Sequence, residues 1–263
     1  MKRAVIAAVV VCLLPLGCVK EDRMGCPCYL TLNFDRVITE DGYFEAVTTL
    51  TPCSDRAQDQ EKINIWDYEG VGYEKKVVKD QVRASVVCGF KNGSFRDDSY
   101  IVPKSVQCDP IMAFALSKRC EGERETADVE LHKQYCRIHF RFVGLESRSE
   151  YPYELRVRAD CCGLQLYNLQ PVEGEYTAIA VETNSGDLSV VLPRQKVNAV
   201  ALDLLDSKAQ VAQTMDLGAR MEAMGYDWAK ADLDDIVVEI DYTLANVETE
   251  IIPWDTTYET IDI

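Results

Sequence analysis

"CRIHFRFV", residues 136–143, sets the apolar Cys136, Ile138, Phe140 and Phe142 against the polar Arg137, His139 and Arg141. A period of two marks a strand with one dry and one wet face, because successive side chains on extended backbone point to opposite sides. The same rhythm recurs in both directions. Upstream, Leu30, Leu32 and Phe34 alternate with Thr31 and Asn33, and Val82, Ala84, Val86 and Cys88 form another row. Downstream, Leu155, Val157 and Ala159 oppose Glu154, Arg156, Arg158 and Asp160, followed by Leu188-Val190-Leu192, Val200-Leu202-Leu204 and Ile236-Val238-Ile240-Tyr242. Turn-forming clusters separate them at Glu40-Asp41-Gly42, Lys91-Asn92-Gly93, Glu173-Gly174 and Asn184-Ser185-Gly186-Asp187. Their spacing is near the roughly 8–12 residues expected of a β-sandwich. The chain reads as all-β with mainly antiparallel sheets.

One short helix is expected in the C-terminal half, where Leu217, Met221 and Met224 repeat at helical spacing and Gly225 follows as a C-terminal cap. The polar run Glu121–Asp128 carries five charges and no large apolar residue, so a hinge is expected there. Each half then holds about seven strand candidates, the number one sandwich needs. The expected organisation is a signal segment at 1–17, an N-terminal sandwich with its tether at 18–128, and a C-terminal sandwich at 129–263.

Lys2 and Arg3 precede Ala4–Leu16, an uncharged run, and the small Gly17 stands before Cys18. That is the layout of a secretory signal; a membrane-spanning helix would need about 20 apolar residues, and Pro15 interrupts even this short run. Leu13-Leu14-Pro15-Leu16-Gly17-Cys18 resembles a lipobox, which implies removal of the signal and acylation of Cys18. Two or more acyl chains hold a protein stably on a bilayer. Lys20, Glu21 and Asp22 resemble the short export tag that sends lipoproteins of Bacteroidales-type bacteria to the outside of the outer membrane.

The formal charge is -16, and it becomes -18 once Lys2 and Arg3 leave with the signal. Such a surface repels phosphate and argues against nucleic acid. Beyond Cys12 in the signal and Cys18, nine cysteines remain, an odd number that leaves at least one unpaired. A mixture of disulfides and buried thiols is expected. Cys26-Pro27-Cys28 has one intervening residue where zinc pairs usually have two or more, and the vicinal Cys161 and Cys162 point to opposite faces of a strand. No metal and no other cofactor is expected apart from the covalent lipid. His132 and His139 are the only histidines, and the chain lacks a Gly-x-Ser-x-Gly elbow, a phosphate loop and a His-Glu-x-x-His motif. No catalytic residue and no small-molecule substrate is expected. Asp232-Leu233-Asp234-Asp235 lacks the glycine and distal glutamate of a calcium loop, and reads as a solvated turn before the strand at Ile236.

The opening Cys18-Val19-Lys20-Glu21-Asp22, then Cys26-Pro27 and Tyr29–Phe34, together with the closing Gly225-Tyr226-Asp227-Trp228, Asp235–Tyr242 and Pro253-Trp254, resemble the FimB/Mfa-type fimbrial anchor subunits of type V pili in Bacteroidales. The resemblance implies two tandem transthyretin-like β-sandwich domains and a non-enzymatic lipoprotein of the outer membrane. It also implies fimbrial shaft subunits as partners, joined by strand contacts. In shaft subunits of this kind a protease cuts after an arginine behind the first strand; here Arg36 is the candidate protease site. Cutting there would make the chain a polymerising or tip subunit. The C-terminal Thr249–Ile263 is expected to be a last strand within its own domain, with donation to a neighbouring subunit as the alternative. A surface adhesin or glycan-capture lipoprotein is the other functional reading, in which Trp66, Tyr68 and Tyr73 would stack on a ligand. A row of exposed rings favours the adhesin; an open groove or exposed apolar edge favours the pilus partner.

Overall fold

The computed structural model describes residues 26–37, 45–52, 60–144, 153–183, 186–241 and 246–253. The N-terminal half runs through β1 (Pro27–Asn33), β2 (Glu45–Pro52), β3 (Gln60–Asn64), a 3-10 turn at Ile65–Tyr68, β4 (Tyr73–Val78), β5 (Gln81–Cys88), β6 (Ser94–Arg96), β7 (Ser99–Ile101), β8 (Met112–Arg119) and β9 (Arg124–Asp128). Then follow β10 (His132–Lys133), β11 (Tyr135–Val143), β12 (Glu154–Gln165), β13 (Pro171–Ile179), β14 (Val181–Glu182), β15 (Leu188–Pro193), β16 (Val200–Leu205), β17 (Val211–Asp216), helix α1 (Leu217–Ala223), β18 (Asp235–Asp241) and β19 (Asn246–Ile252).

Four sheets pack as two sandwiches. In the first, the sheet β4-β1-β9 faces the sheet β10-β8-β5-β2-β3; in the second, β14-β15-β11-β18-β19 faces β17-β16-β12-β7-β6, with β13 also paired to β12. The two halves repeat one motif. The opening strand of each sits inside its sheet, antiparallel to one neighbour and parallel to the other: β1 between β4 and β9, β11 between β15 and β18.

The expected alternation is realised as burial. Cys28, Leu30 and Leu32 of β1, with Val82, Ala84, Val86 and Cys88 of β5, fill the first core; Cys136, Ile138 and Phe140, with Leu155, Val157, Leu202 and Val238, fill the second. Each buried aliphatic or aromatic side chain contributes roughly 1.5–3 kcal/mol. Strand β5 also explains its near-continuous apolar run, because Val87 points the other way and joins the second core with Ala113 of β8. Both faces of β5 are covered.

The expected helix is present. Asp216 caps it by accepting from the Ala219 N–H at 2.8 Å, and Gly225 follows the helix at φ +75°, a left-handed conformation that glycine adopts without steric cost.

Three local expectations are corrected. The charged run Glu121–Asp128 is not a hinge: Arg124–Asp128 forms β9, an edge strand parallel to β1, with Arg124 and Asp128 on its exposed face and Glu125 on the half-buried face paired to Lys118. Glu173-Gly174 is not a turn but lies within β13, where the pairing with β12 shifts register near Cys161. A Cβ on Gly174 would lie 2.5 Å from the Cys162 Sγ, so glycine makes room for that side chain. The Asp232–Asp235 segment is not a solvated turn. Asp234 is buried and bonds the Lys230 ammonium, while Asp232 and Asp235 accept from the Lys133 and Arg137 backbones and from side chains.

The β6–β7 hairpin comes from the first half of the sequence yet belongs to the second sandwich. Tyr100 and Ile101 pair with Leu164 and Gly163 of β12, and Tyr100, Val102, Cys108 and Ile111 are buried in the second core. Core membership therefore does not change at a single point near residue 128.

Candidate functional site: the first strand and its exit turn

Strand β1 is held on every side. Its inward row is fully buried, and its backbone pairs along six positions with β4 and five with β9. The Tyr29 N–H donates to the Glu123 carbonyl at 2.9 Å, and the Val129 N–H to the Asn33 carbonyl at 2.8 Å. On the outward face, the Arg124 guanidinium lies over the Tyr29 ring at 5.9 Å, and Asn33 Nδ2 donates to Asp128 Oδ1 at 3.0 Å. Cys26, where the described chain begins, is exposed.

After β1 the chain leaves through a turn. The Val37 N–H donates to the Phe34 carbonyl at 2.8 Å, the Asp35 N–H to Asn33 Oδ1 at 3.1 Å, and the Gly70 N–H to Asp35 Oδ1 at 3.1 Å. Arg36 is exposed on this turn. A cleft of about 350 Å³ opens beside it, lined by Phe34, Asp35, Val37, Trp66, Glu69 and Gly70. Cys18, Lys20, Glu21 and Asp22 lie outside the described residues.

Of the three aromatic candidates, only Trp66 is exposed, at 44%, whereas Tyr73 is 4% exposed. Tyr68 is partly buried and meets the Tyr73 ring edge-on at 5.2 Å. The Tyr73 hydroxyl donates to Glu61 Oε2 at 2.6 Å, and burial, reinforced by that carboxylate, raises its pKa. The three rings do not form one exposed row. The exposed valines include Val71, Val78 and Val197.

His132 Nδ1 lies 3.0 Å from Asp232 Oδ2, and burial lowers the pKa of His139. The structure draws no disulfide among the eight described cysteines, and six of them are buried, four of these in apolar strand rows. Burial pushes Cys88 and Cys136 up to about 12, which leaves them protonated and unreactive at neutral pH. Among the described residues no group of three or more His, Cys, Asp or Glu side chains converges as metal ligands would.

Sequence reading missed three buried charges that hold the fold. Asp109 accepts from the Lys91, Asn92 and Gly93 N–H groups at 2.6, 2.7 and 3.1 Å, and from the Tyr100 hydroxyl. Burial would raise its pKa, but these donors outweigh it and hold the carboxyl below its usual range. Asp203 is completely buried beneath Arg156 and Arg158, with Thr214 donating at 2.7 Å. Arg194 spreads its donors over Gln134 Oε1 at 2.8 Å and the carbonyls of Trp228, Lys230 and Ala231, clamping the segment before β18. At the junction of the sandwiches the buried Lys133 reaches Asp235 Oδ1 at 2.6 Å.

No family model matches this sequence, and no curated protein aligns with it. Solved structures do match. A candidate adhesin from Bacteroides ovatus superposes with a TM-score of 0.57 at 8% identity, over 89% of this chain and 97% of its own. Another from Bacteroides thetaiotaomicron gives 0.55 at 10% identity, over 86% and 97%. The fold is therefore that of the Bacteroidales adhesin and fimbrial β-sandwich proteins. Among them stands the fimbrial anchor protein Mfa2 from Porphyromonas gingivalis, with a TM-score of 0.55 at 8% identity, covering 87% of this chain and 98% of that one.

Proposed function

We propose that this chain is an outer-membrane lipoprotein of the FimB/Mfa type, which holds a fimbria at the cell surface through protein-protein strand contacts and catalyses no reaction. The observation that carries this reading is the seating of β1. The strand that follows the lipid-bearing segment is an interior strand of its sheet, with Cys28, Leu30 and Leu32 fully buried. Eight positions separate Cys18 from Cys26, so the tether passes almost directly into a packed strand, and a pulling load on a fimbria would be borne by backbone hydrogen bonds on both sides of it. The architecture shared with Mfa2 supports the same reading. The adhesin alternative has less support, because Tyr73 is buried and Tyr68 packs against it.

Arg36 is the point on which an anchor and a polymerising subunit divide. It is exposed, and a cut after it would separate β1 and Cys18 from the rest of the backbone. The deciding experiment is intact mass and N-terminal analysis of the protein from its native outer membrane with fimbriae attached. Acylated Cys18 on a full-length chain that co-purifies with pilus subunits is the expected result. A lipid-free chain beginning at Val37 would make it a polymerising or tip subunit, and a lipidated chain without a pilus partner would favour the surface-binding role.

A further inference from the structure

The thiols of Cys28 and Cys120 are neighbours inside the first core. Both are 0% exposed and belong to the same packed core, where Cys28 stands opposite Val77 of β4 and acts on the Cys120 thiol as one of its neighbours. They come from opposite layers of the sandwich: Cys28 is on β1, while Cys120 follows β8 directly. The backbone stitches their surroundings together. The Tyr29 N–H donates to the Glu123 carbonyl at 2.9 Å, and the Cys120 N–H donates to the Asp80 carbonyl at 2.9 Å. Among the described residues neither sulfur makes another hydrogen bond, and two buried thiols from opposite layers of one core in an exported chain are candidates for a structural disulfide.

We propose that Cys28 and Cys120 form a disulfide that fastens the first strand to the opposite sheet. The two thiols lose two protons and two electrons as the S–S bond forms. A disulfide of an envelope thiol-disulfide oxidoreductase accepts the electrons and leaves as a dithiol, by way of a mixed disulfide. Closure takes place while the chain folds. In the folded, reduced protein both sulfurs are sealed from solvent, and burial together with the neighbouring Cys28 pushes Cys120 up to about 11, so little thiolate is available for exchange.

The consequence for the tether rests on the reading of residues 18–36 as the lipid-bearing segment. A backbone cut after Arg36 would leave that segment covalently attached through Cys28. Cleavage alone would then not release the lipid.

The test uses the full mature chain recovered from the cell envelope, alkylated without reduction, digested and mapped by mass. A peptide pair joining Cys28 to Cys120, absent after reduction, is expected. Recovery of both cysteines as alkylated monomers after denaturation alone overturns the proposal, as does a bond from Cys28 to Cys26 or Cys53. Thermal unfolding supplies a second measure. A reductant should lower the Tm of the native protein by roughly 10 °C, given the long loop the bond closes, and leave Cys120→Ala unmoved. Equal shifts in both proteins would overturn the assignment. The bridge found on a chain without lipid would keep the disulfide and sink the tether reading, so the two can fail separately.

Discussion

Asp203 shows how one buried charge organises a sheet. The side chain stands on β16 opposite Arg156, and Arg156 and Arg158 donate to its Oδ2, both at 2.7 Å, while Thr214 donates to Oδ1. Arg158, followed by Thr214 and Arg156, outweighs the desolvation of this carboxyl and holds it far below the usual carboxylate range. A depressed folded pKa stabilises the protein at pH values above the unfolded pKa of about 4, and that stability is lost as acid protonates the group. Asp203→Asn should therefore cost roughly 2–3 kcal/mol at pH 7, less than a fully buried pair would because both guanidiniums are partly solvated. Urea unfolding from pH 7 down to pH 2 checks it: the gap between wild type and variant should narrow with acid. A gap constant with pH would mean that packing, not charge, holds the site. The sequence row Val200-Leu202-Leu204 was readable, but Asp203 on its wet side reads as solvated. Its burial depends on arginines from β12, more than forty residues away in the chain.

At the scale of the element, α1 presses its first turn onto the chain ahead of β16. A Cβ on Gly218 would stand 1.6 Å from the Asn198 carbonyl oxygen and 3.0 Å from the Val200 nitrogen. In an open helix, glycine to alanine gains about 1 kcal/mol. Here the sign reverses, and Gly218→Ala should cost about 3 kcal/mol through displaced backbone, read as a fall in the denaturant midpoint. A stabilised variant would mean that the helix can move off the sheet. The helix itself was legible from Leu217, Met221 and Gly225, since its periodicity is local. The charged strand β9 was not, because an edge strand without large apolar residues has the composition of a linker and becomes a strand only when β1 offers its free backbone groups.

Across the whole molecule, the two sandwiches are interlocked. The β6–β7 hairpin adds to the second sandwich from within the first half of the sequence, Val87 and Ala113 reach into the second core, and β10 joins β8 before Lys133 bonds Asp235. A fragment 129–263 expressed alone lacks Tyr100, Val102, Cys108 and Ile111 of its core. We expect it to lose cooperative unfolding and to bind a hydrophobic dye, whereas a fragment starting at residue 89 should fold more fully. A cooperatively folding 129–263 would restore the simple boundary after Asp128.

What the sequence by itself determined is what repeats locally: all-β character from the two-residue rhythm, and the short helix with its glycine cap. These follow from backbone geometry acting on adjacent residues. Only the tertiary structure decided which strands share a sheet, that β1 lies inside its sheet between β4 and β9, that a hairpin crosses to the second sandwich, and that Cys28 and Cys120 share one core. Each of these joins residues distant in the chain, where the free energy of burial and pairing selects among partners that no local pattern distinguishes.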